Sequence, residues 1–139
     1  MLGAPPQRRH NLAFSYSIDP HRRLVVSRAS GVFTPEDVVA ARKRVARDPA
    51  FDPTYDQIID LTEAADLQFD YDAMLSVAAS SLSQSSVRRA IVARSAEQYS
   101  LACIFQVASE QSGQRIDIFA TFDEAVEWIR SRNSGPQRA

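Results

Sequence analysis

The stretch Tyr55-Asp56-Gln57-Ile58-Ile59-Asp60-Leu61 decides the fold class of this chain. Pro53 stands before it and Thr62 and Glu63 follow it, and an apolar run between such residues is typical of a buried strand. Helical patterns lie on both sides of the stretch, and the carboxylate of Asp60 lies near its C-terminal end. An α/β sheet places a strand of this kind at its centre. The sequence therefore predicts an α/β domain built around this stretch.

Two strands and a helix are predicted before the central strand. Residues 14–18 alternate apolar and polar side chains, a turn at 19–23 follows, and a β-branched run begins at Leu24. This pattern predicts an antiparallel hairpin whose second strand ends at Gly31. Thr34 is suited to cap a helix whose first residue is Pro35, and the Asp48-Pro49 pair ends that helix.

Three helices and two strands are predicted after the central strand. Residues 62–69 are interpreted as a connection, and Asp70 as the N-cap of a second helix. Strands are expected at 88–93 and 115–119, and capping-box patterns at 95–98 and 121–124 predict the starts of the third and fourth helices. The apolar stripe of the second helix contains Tyr71, Met74, Leu75, Ala78 and Leu82. Gly113 is the expected stop of the third helix.

The predicted order is β-β-α-β-α-β-α-β-α, in which the helical crossovers require parallel strands after the antiparallel hairpin. One domain is expected over residues 12–132. Residues 1–11 and 133–139 show no periodicity, so a disordered arm and a disordered tail are expected there.

Composition narrows the classes of function. The 16 Lys and Arg residues nearly balance the 17 Asp and Glu residues, so no overall field attracts nucleic acid or an anionic membrane. The single cysteine excludes an intramolecular disulfide, and the sequence has neither a signal segment nor an apolar run of membrane-spanning length. We therefore expect a cytoplasmic protein that does not insert into membranes and does not bind nucleic acid.

No catalytic or metal-binding pattern stands out. The two histidines, His10 and His21, lie in the arm and in a turn, without the spacing of a metal site. Cys103 lies in an apolar helical segment, where a small buried hydrophobe is expected rather than a nucleophile. We predict that the chain is not an enzyme and carries no metal or cofactor.

A candidate ligand site follows the central strand. Asp60, Thr62 and Glu63 lie where open α/β sheets bind ligands, just beyond the carboxyl ends of the strands. The alternative interpretation is that Asp60 only accepts hydrogen bonds from amides of its own loop.

The third helix carries more apolar residues than one sheet face needs. Leu101, Ile104, Phe105 and Ala108 form one stripe that is predicted to be buried. Tyr99, Cys103 and Val107 form a second stripe, which predicts an interface with a protein partner or with a second copy in a homodimer. Trp128, at the margin of the last helical stripe, raises the same question.

The order of elements and the segment Gln57-Ile58-Ile59-Asp60-Leu61-Thr62-Glu63-Ala64 resemble the bacterial anti-anti-sigma-factor-like domains, also called STAS-like or SpoIIAA-like domains. Their central strand commonly ends in an Asp-Leu-Ser-Gly-Val-like segment. The hairpin at 14–30, the helix entry at 31–34 and the strand at 90–93 are most similar to the SpoIIAA-like branch of small bacterial proteins. The resemblance covers nearly the whole chain after the arm, and it implies a mostly parallel SpoIIAA-like sheet.

One departure from the family pattern concerns regulation. Regulatory members carry an Asp-Ser-Ser-Gly-like segment at the start of the next helix, with a serine that a partner kinase phosphorylates. Here the corresponding residues are Gln68-Phe69-Asp70-Tyr71, which include no serine. The phosphorylation site is therefore not carried over, and Asp70 is interpreted as a helix cap, although its charge could imitate a phosphoserine.

Two functions remain open. The resemblance favours a non-enzymatic STAS-like interaction or regulatory module, and the alternative is a carrier of an apolar small molecule or lipid, as in related lipid-transfer folds. A continuous apolar cavity lined by Met74, Phe105 and Phe122 would favour the carrier. A packed core with an exposed apolar helix face would favour the module.

Overall fold

A five-stranded sheet organises the chain, with strands in the spatial order β1-β2-β3-β4-β5. The structure, a computed structural model, describes residues 13–79, 87–110 and 115–131. The strands are β1 (Phe14–Asp19), β2 (Leu24–Phe33), β3 (Asp56–Leu67), β4 (Arg88–Val92) and β5 (Arg115–Phe119). The helices are α1 (Pro35–Arg47), α2 (Tyr71–Ala79), α3 (Ala96–Glu110) and α4 (Phe122–Ser131).

The predicted mixed sheet is confirmed. Strand β1 pairs antiparallel with β2, and every later pair is parallel. The predicted arm at 1–11 and tail at 133–139 lie outside the described residues, as do Leu82 and the Gly113 helix stop.

Side-chain caps fix where the helices start. The Thr34 hydroxyl accepts from the Asp37 amide at 3.2 Å, and the Asp37 carboxylate accepts from the Thr34 amide at 2.9 Å. Asp70 caps α2 by accepting from the Ala73 amide at 2.7 Å. The predicted capping boxes of α3 and α4 both form. These short-range bonds satisfy amides that the first helical turn leaves without partners.

Strands β2 and β3 are longer than the sequence predicts. The predicted end of β2 at Gly31 and the predicted connection at 62–69 are wrong, because the ladder continues to the pair Phe33 and Leu67. Register shifts occur on both sides of Gly31, which takes a φ of 63°. Glycine adopts this left-handed conformation without a Cβ clash, so the strand bends and pairing resumes beyond it.

The two faces of the sheet carry different numbers of helices. On one face, α1, α2 and α3 cover a core that includes Phe33, Leu61, Met74, Ile91 and Phe105. On the other face, α4 packs against a second core formed by Leu24, Ile58, Ala90, Val92, Ala125 and Ile129. Ile58 is fully buried on the α4 face, whereas Ile59 is half-buried on the three-helix face.

Candidate functional site

The three residues of the predicted ligand site, Asp60, Thr62 and Glu63, lie within β3 and not beyond its end, because the strand continues to Leu67. The Asp60 side chain is bonded to neighbouring residues of the chain itself. One Asp60 carboxylate oxygen accepts from the Thr62 amide at 2.9 Å and from its hydroxyl at 2.7 Å. The other oxygen lies 3.6 Å from Nε of Arg28, whose guanidinium stacks over Phe122. Asp60 and Thr62 are thus brought together, while Glu63 is exposed. The geometry matches the alternative interpretation for Asp60, and a ligand role for these three residues stays a prediction.

The described residues also offer little for metal chemistry. Within residues 13–79, 87–110 and 115–131, no three His, Cys, Asp or Glu side chains cluster as metal ligands would.

Exposed apolar side chains concentrate on two neighbouring helices. We define the α2–α3 surface by the residues Tyr71, Leu75, Tyr99, Cys103, Ile104 and Val107. Tyr71, Tyr99 and Val107 are 63%, 55% and 58% exposed. A groove of about 290 Å³ runs between the two helices and is lined by Cys103, Ile104, Val107 and their neighbours on α2.

Three residues of this surface belong to apolar stripes that the sequence predicts. Ile104 belongs to the α3 stripe that is predicted to be buried, and Tyr71 and Leu75 belong to the apolar stripe of α2, but all three are exposed. The predicted burial of Phe105 is confirmed, and Leu101 and Ala108 are half-buried. Gln98, Ala102 and Ser109 complete the buried side of α3. Helices α2 and α3 contact each other, and the three exposed side chains line the groove between them instead of entering the core.

The predicted second stripe on α3 lies on this exposed side. Tyr99 and Val107 are exposed, and Cys103 between them is half-buried, which corrects its prediction as a buried hydrophobe. A hydrogen bond to the Cys103 side chain, one helical turn away, raises the pKa of Tyr99 above its ordinary value. The sequence did not lead to the prediction that α2 contributes exposed apolar side chains to this surface. The available signal was a second i, i+4 pair, Tyr71 and Leu75, beside the pair Met74 and Ala78.

Trp128 belongs to internal packing. Its ring lies 5.5 Å from that of Phe119, and the Arg88 guanidinium stacks over it at 4.9 Å. Arg88 also donates to the Trp128 carbonyl at 2.9 Å. These contacts account for an aromatic residue at the margin of α4.

A cavity of about 120 Å³ lies between the sheet and the helices α1, α2 and α3. Met74 and Phe105, two of the residues whose presence in one cavity would favour a carrier, line it. Phe122 does not, because it packs in the core on the opposite face, beside α4. The cavity therefore contains two of the three residues whose combination would favour a carrier.

Two arginines belong to the wall of this cavity. Arg89 is 3% exposed, and its guanidinium lies 5.1 Å from the centre of the Phe105 ring. Arg42 donates from Nη1 to the Val77 carbonyl at 2.8 Å. Burial lowers the pKa of Arg42 to about 10, and burial together with the charge of Arg42 lowers the pKa of Arg89 to about 9. The burial of Arg89 had one signal in the sequence: Arg89 and Ile91 are two residues apart and so point to the same face of their strand.

Comparisons with known proteins bear on the fold. No protein-family model matches the chain, and no match is found among curated proteins. The chain is similar to a solved structure from Shewanella loihica PV-4, an uncharacterised DUF3478-family protein with a SpoIIAA-like fold. The TM-score is 0.56 and the sequence identity 19%, and the match covers 84% of this chain and 93% of that one. An anti-sigma factor antagonist from Mycobacterium paratuberculosis matches at a TM-score of 0.55 and 18% identity, over 84% and 94%. The chain therefore has the SpoIIAA-like fold.

No helix within residues 13–79, 87–110 and 115–131 has the length and apolar character that crossing a membrane requires.

Proposed function

We propose that this SpoIIAA-like chain is a non-enzymatic regulatory module that binds a protein partner through the α2–α3 surface. The observation that carries the proposal is the concentration of exposed apolar side chains. Of the seven exposed large hydrophobic residues in the described part of the chain, five lie on α2 and α3. Contiguous apolar patches on soluble proteins commonly mark interaction sites, whereas scattered single residues do not.

The charges around this surface indicate the chemistry of the partner. Helices α2 and α3 contain no Lys or Arg, and their acidic residues Asp72, Glu97 and Glu110 are exposed. An apolar patch with an acidic rim is complemented by an apolar face with a basic rim. We therefore propose a partner protein of that character rather than a second copy of this chain.

The structural neighbours are compatible with this proposal. One of them is named as an antagonist of an anti-sigma factor, so its named role concerns another protein. A comparable role for this chain is part of the proposal.

Photocrosslinking provides the test. Val107 and Val39 are similarly exposed, at 58% and 50%, but Val39 lies on α1, away from the α2–α3 surface. With p-benzoylphenylalanine at position 107, we expect irradiation of cells to yield a discrete adduct with another protein, identified by mass spectrometry. The same photoreactive residue at position 39 is the matched control and should not yield that adduct. Equal adducts from both positions would contradict the proposal.

The proposed module is not switched by phosphorylation of the segment before α2. Asp70 has no hydroxyl group, and its carboxylate is engaged as the cap of α2. We expect incubation with a kinase of the anti-sigma type to leave residues 68–71 unmodified, as measured by mass spectrometry. Phosphate on Tyr71, or on Ser76 together with a change in partner binding, would contradict this expectation.

Small-molecule binding is the second candidate function, and the cavity beneath α1, α2 and α3 favours it. At about 120 Å³ the cavity is smaller than the pockets of roughly 300 to 1,000 Å³ that hold drug-sized ligands. Its size therefore favours a small molecule over a lipid.

A further inference from the structure

Two acidic residues of α3 lie towards the two ends of the groove between α2 and α3. Glu97 precedes Ile104 by seven residues, and Glu110 follows Cys103 by seven residues. Seven residues make nearly two turns of an α-helix, so each acid lies on the same side of α3 as a residue that lines the groove. This exposed side of α3 therefore has apolar side chains in its middle and a negative charge towards each end.

Helix α2 forms the other wall of the groove. Tyr71 and Leu75 line it from α2, and Ile104 and Val107 line it from α3. Its volume of about 290 Å³ exceeds that of a cavity of roughly 150 Å³ that accommodates benzene. The groove therefore has room for more than one apolar side chain of a partner.

We propose that the occupant of this groove is a basic amphipathic helix of the partner protein, with apolar side chains at i, i+3, i+4 and i+7 between Lys or Arg residues at both ends. The proposal rests on the proposed function, because it assigns a structure and a charge pattern to the partner of the same surface. Amphipathic helices commonly bind apolar grooves through side chains at this spacing.

The two acids also set the spacing of the basic residues. Glu97 and Glu110 are about 20 Å apart along the axis of α3, at 1.5 Å per residue. A partner helix that runs along α3 has the same rise per residue, so its basic residues meet both acids when they are about 13 positions apart. Opposite charges at the ends then select the partner and its register, while the apolar contacts exclude water from the groove.

Helix α1 of this chain is basic, but it is not suited to be the occupant in a second copy. It carries Arg44 and Arg47 in its last turn, and its apolar residues Ala41 and Val45 are buried in the core of its own chain. A second copy would have to expose that core to place these side chains in the groove. This favours a helix from a different protein.

A synthetic peptide of about 20 residues provides the probe. It carries Leu at i, i+3, i+4 and i+7, Lys pairs about 13 positions apart on either side, and Ala and Gln elsewhere. We expect saturable binding to the full chain by fluorescence anisotropy. The same peptide with Glu in place of Lys should bind at least about tenfold more weakly, because its charges repel those of the surface. A version with a central Pro should also bind at least about tenfold more weakly, because proline breaks the helix.

Variants of the chain assign the peptide to the groove. Glu110→Arg should weaken binding of the Lys peptide about threefold or more and should strengthen binding of the Glu peptide. Glu127→Arg makes the same change at an exposed position of α4, on the opposite face of the sheet, and should alter neither affinity. Val107→Asp should weaken the Lys peptide at least about tenfold, whereas Val39→Asp should bind it like the wild type.

The proposal is overturned if the Lys peptide does not bind, if the Glu or Pro peptide binds as tightly, or if folded Glu110→Arg and Val107→Asp both retain full affinity. These outcomes are separate from the photocrosslinking result. An adduct from position 107 without peptide binding would keep the α2–α3 surface as a partner site and reject the basic helix as its occupant.

Discussion

Replacing Ile58 by Ala should lower the free energy of unfolding by about 2 to 5 kcal/mol, the usual cost of deleting a fully buried Ile side chain. Ile58 is 0% exposed and lies in the core between β3 and α4, with Leu24, Ala90, Val92, Ala125 and Ile129. A central strand cannot move to fill the space, because it is bonded to a strand on each side. Single domains are stable by roughly 5 to 15 kcal/mol, so the loss is a large share of the total.

Urea unfolding followed by circular dichroism measures this effect. Ile59→Ala should cost less than Ile58→Ala, because Ile59 is half-buried and already borders the cavity. Val39→Ala, on the exposed side of α1, should change stability by less than about 0.5 kcal/mol. A loss below about 1 kcal/mol for Ile58→Ala would contradict the assignment of Ile58 to the core.

Replacing Val107 by Asp should weaken partner binding at least about tenfold while leaving the fold intact. Val107 is 58% exposed and lies at the groove between α2 and α3, so a carboxylate there stays hydrated in the free protein. In a complex, the same carboxylate would be buried against an apolar partner face, which is costly. The added carboxylate would also increase the negative charge near the acidic residues of the surface. The change in partner affinity therefore depends on where position 107 lies in the complex as well as on its charge.

The matched control for this change is Val39→Asp, which introduces the same charge on α1 and should retain wild-type affinity. Thermal unfolding should show both variants within about 0.5 kcal/mol of the wild type. Sedimentation velocity distinguishes a protein partner from a second copy: a wild-type dimer that Val107→Asp dissociates would assign the surface to self-association. If Val107→Asp unfolds the chain, the second stripe of α3 is core and the proposed interface does not exist.

Local signals in the sequence predicted most of the fold. The alternation at residues 14–18, the Thr34-Pro35 start of α1 and the capping boxes of α3 and α4 depend on residues within a few positions of each other. These features form in the structure as predicted. The parallel order then follows from the helical crossovers between strands.

Features that depend on distant neighbours were not predicted. The extension of β3 through Ala64 to Leu67 depends on β2, which bends at Gly31 and then pairs with β3 again. The exposure of Leu75 and Ile104 depends on how α2 and α3 lie beside each other, which neither helix specifies alone. The burial of Arg89 likewise results from α3 placing Phe105 against it.

The central claim, that a partner protein covers the α2–α3 surface, is tested most directly by the reactivity of Cys103. This is the only cysteine of the chain, and it is half-buried in the groove between Tyr99 and Val107. Its alkylation rate with a maleimide, followed by mass spectrometry, therefore reports on this surface alone. The account predicts that a saturating amount of the partner protein identified by photocrosslinking slows this alkylation at least about tenfold. Such slowing is expected for a thiol at the centre of an interface from which water is excluded. An unchanged alkylation rate in the saturated complex would contradict it.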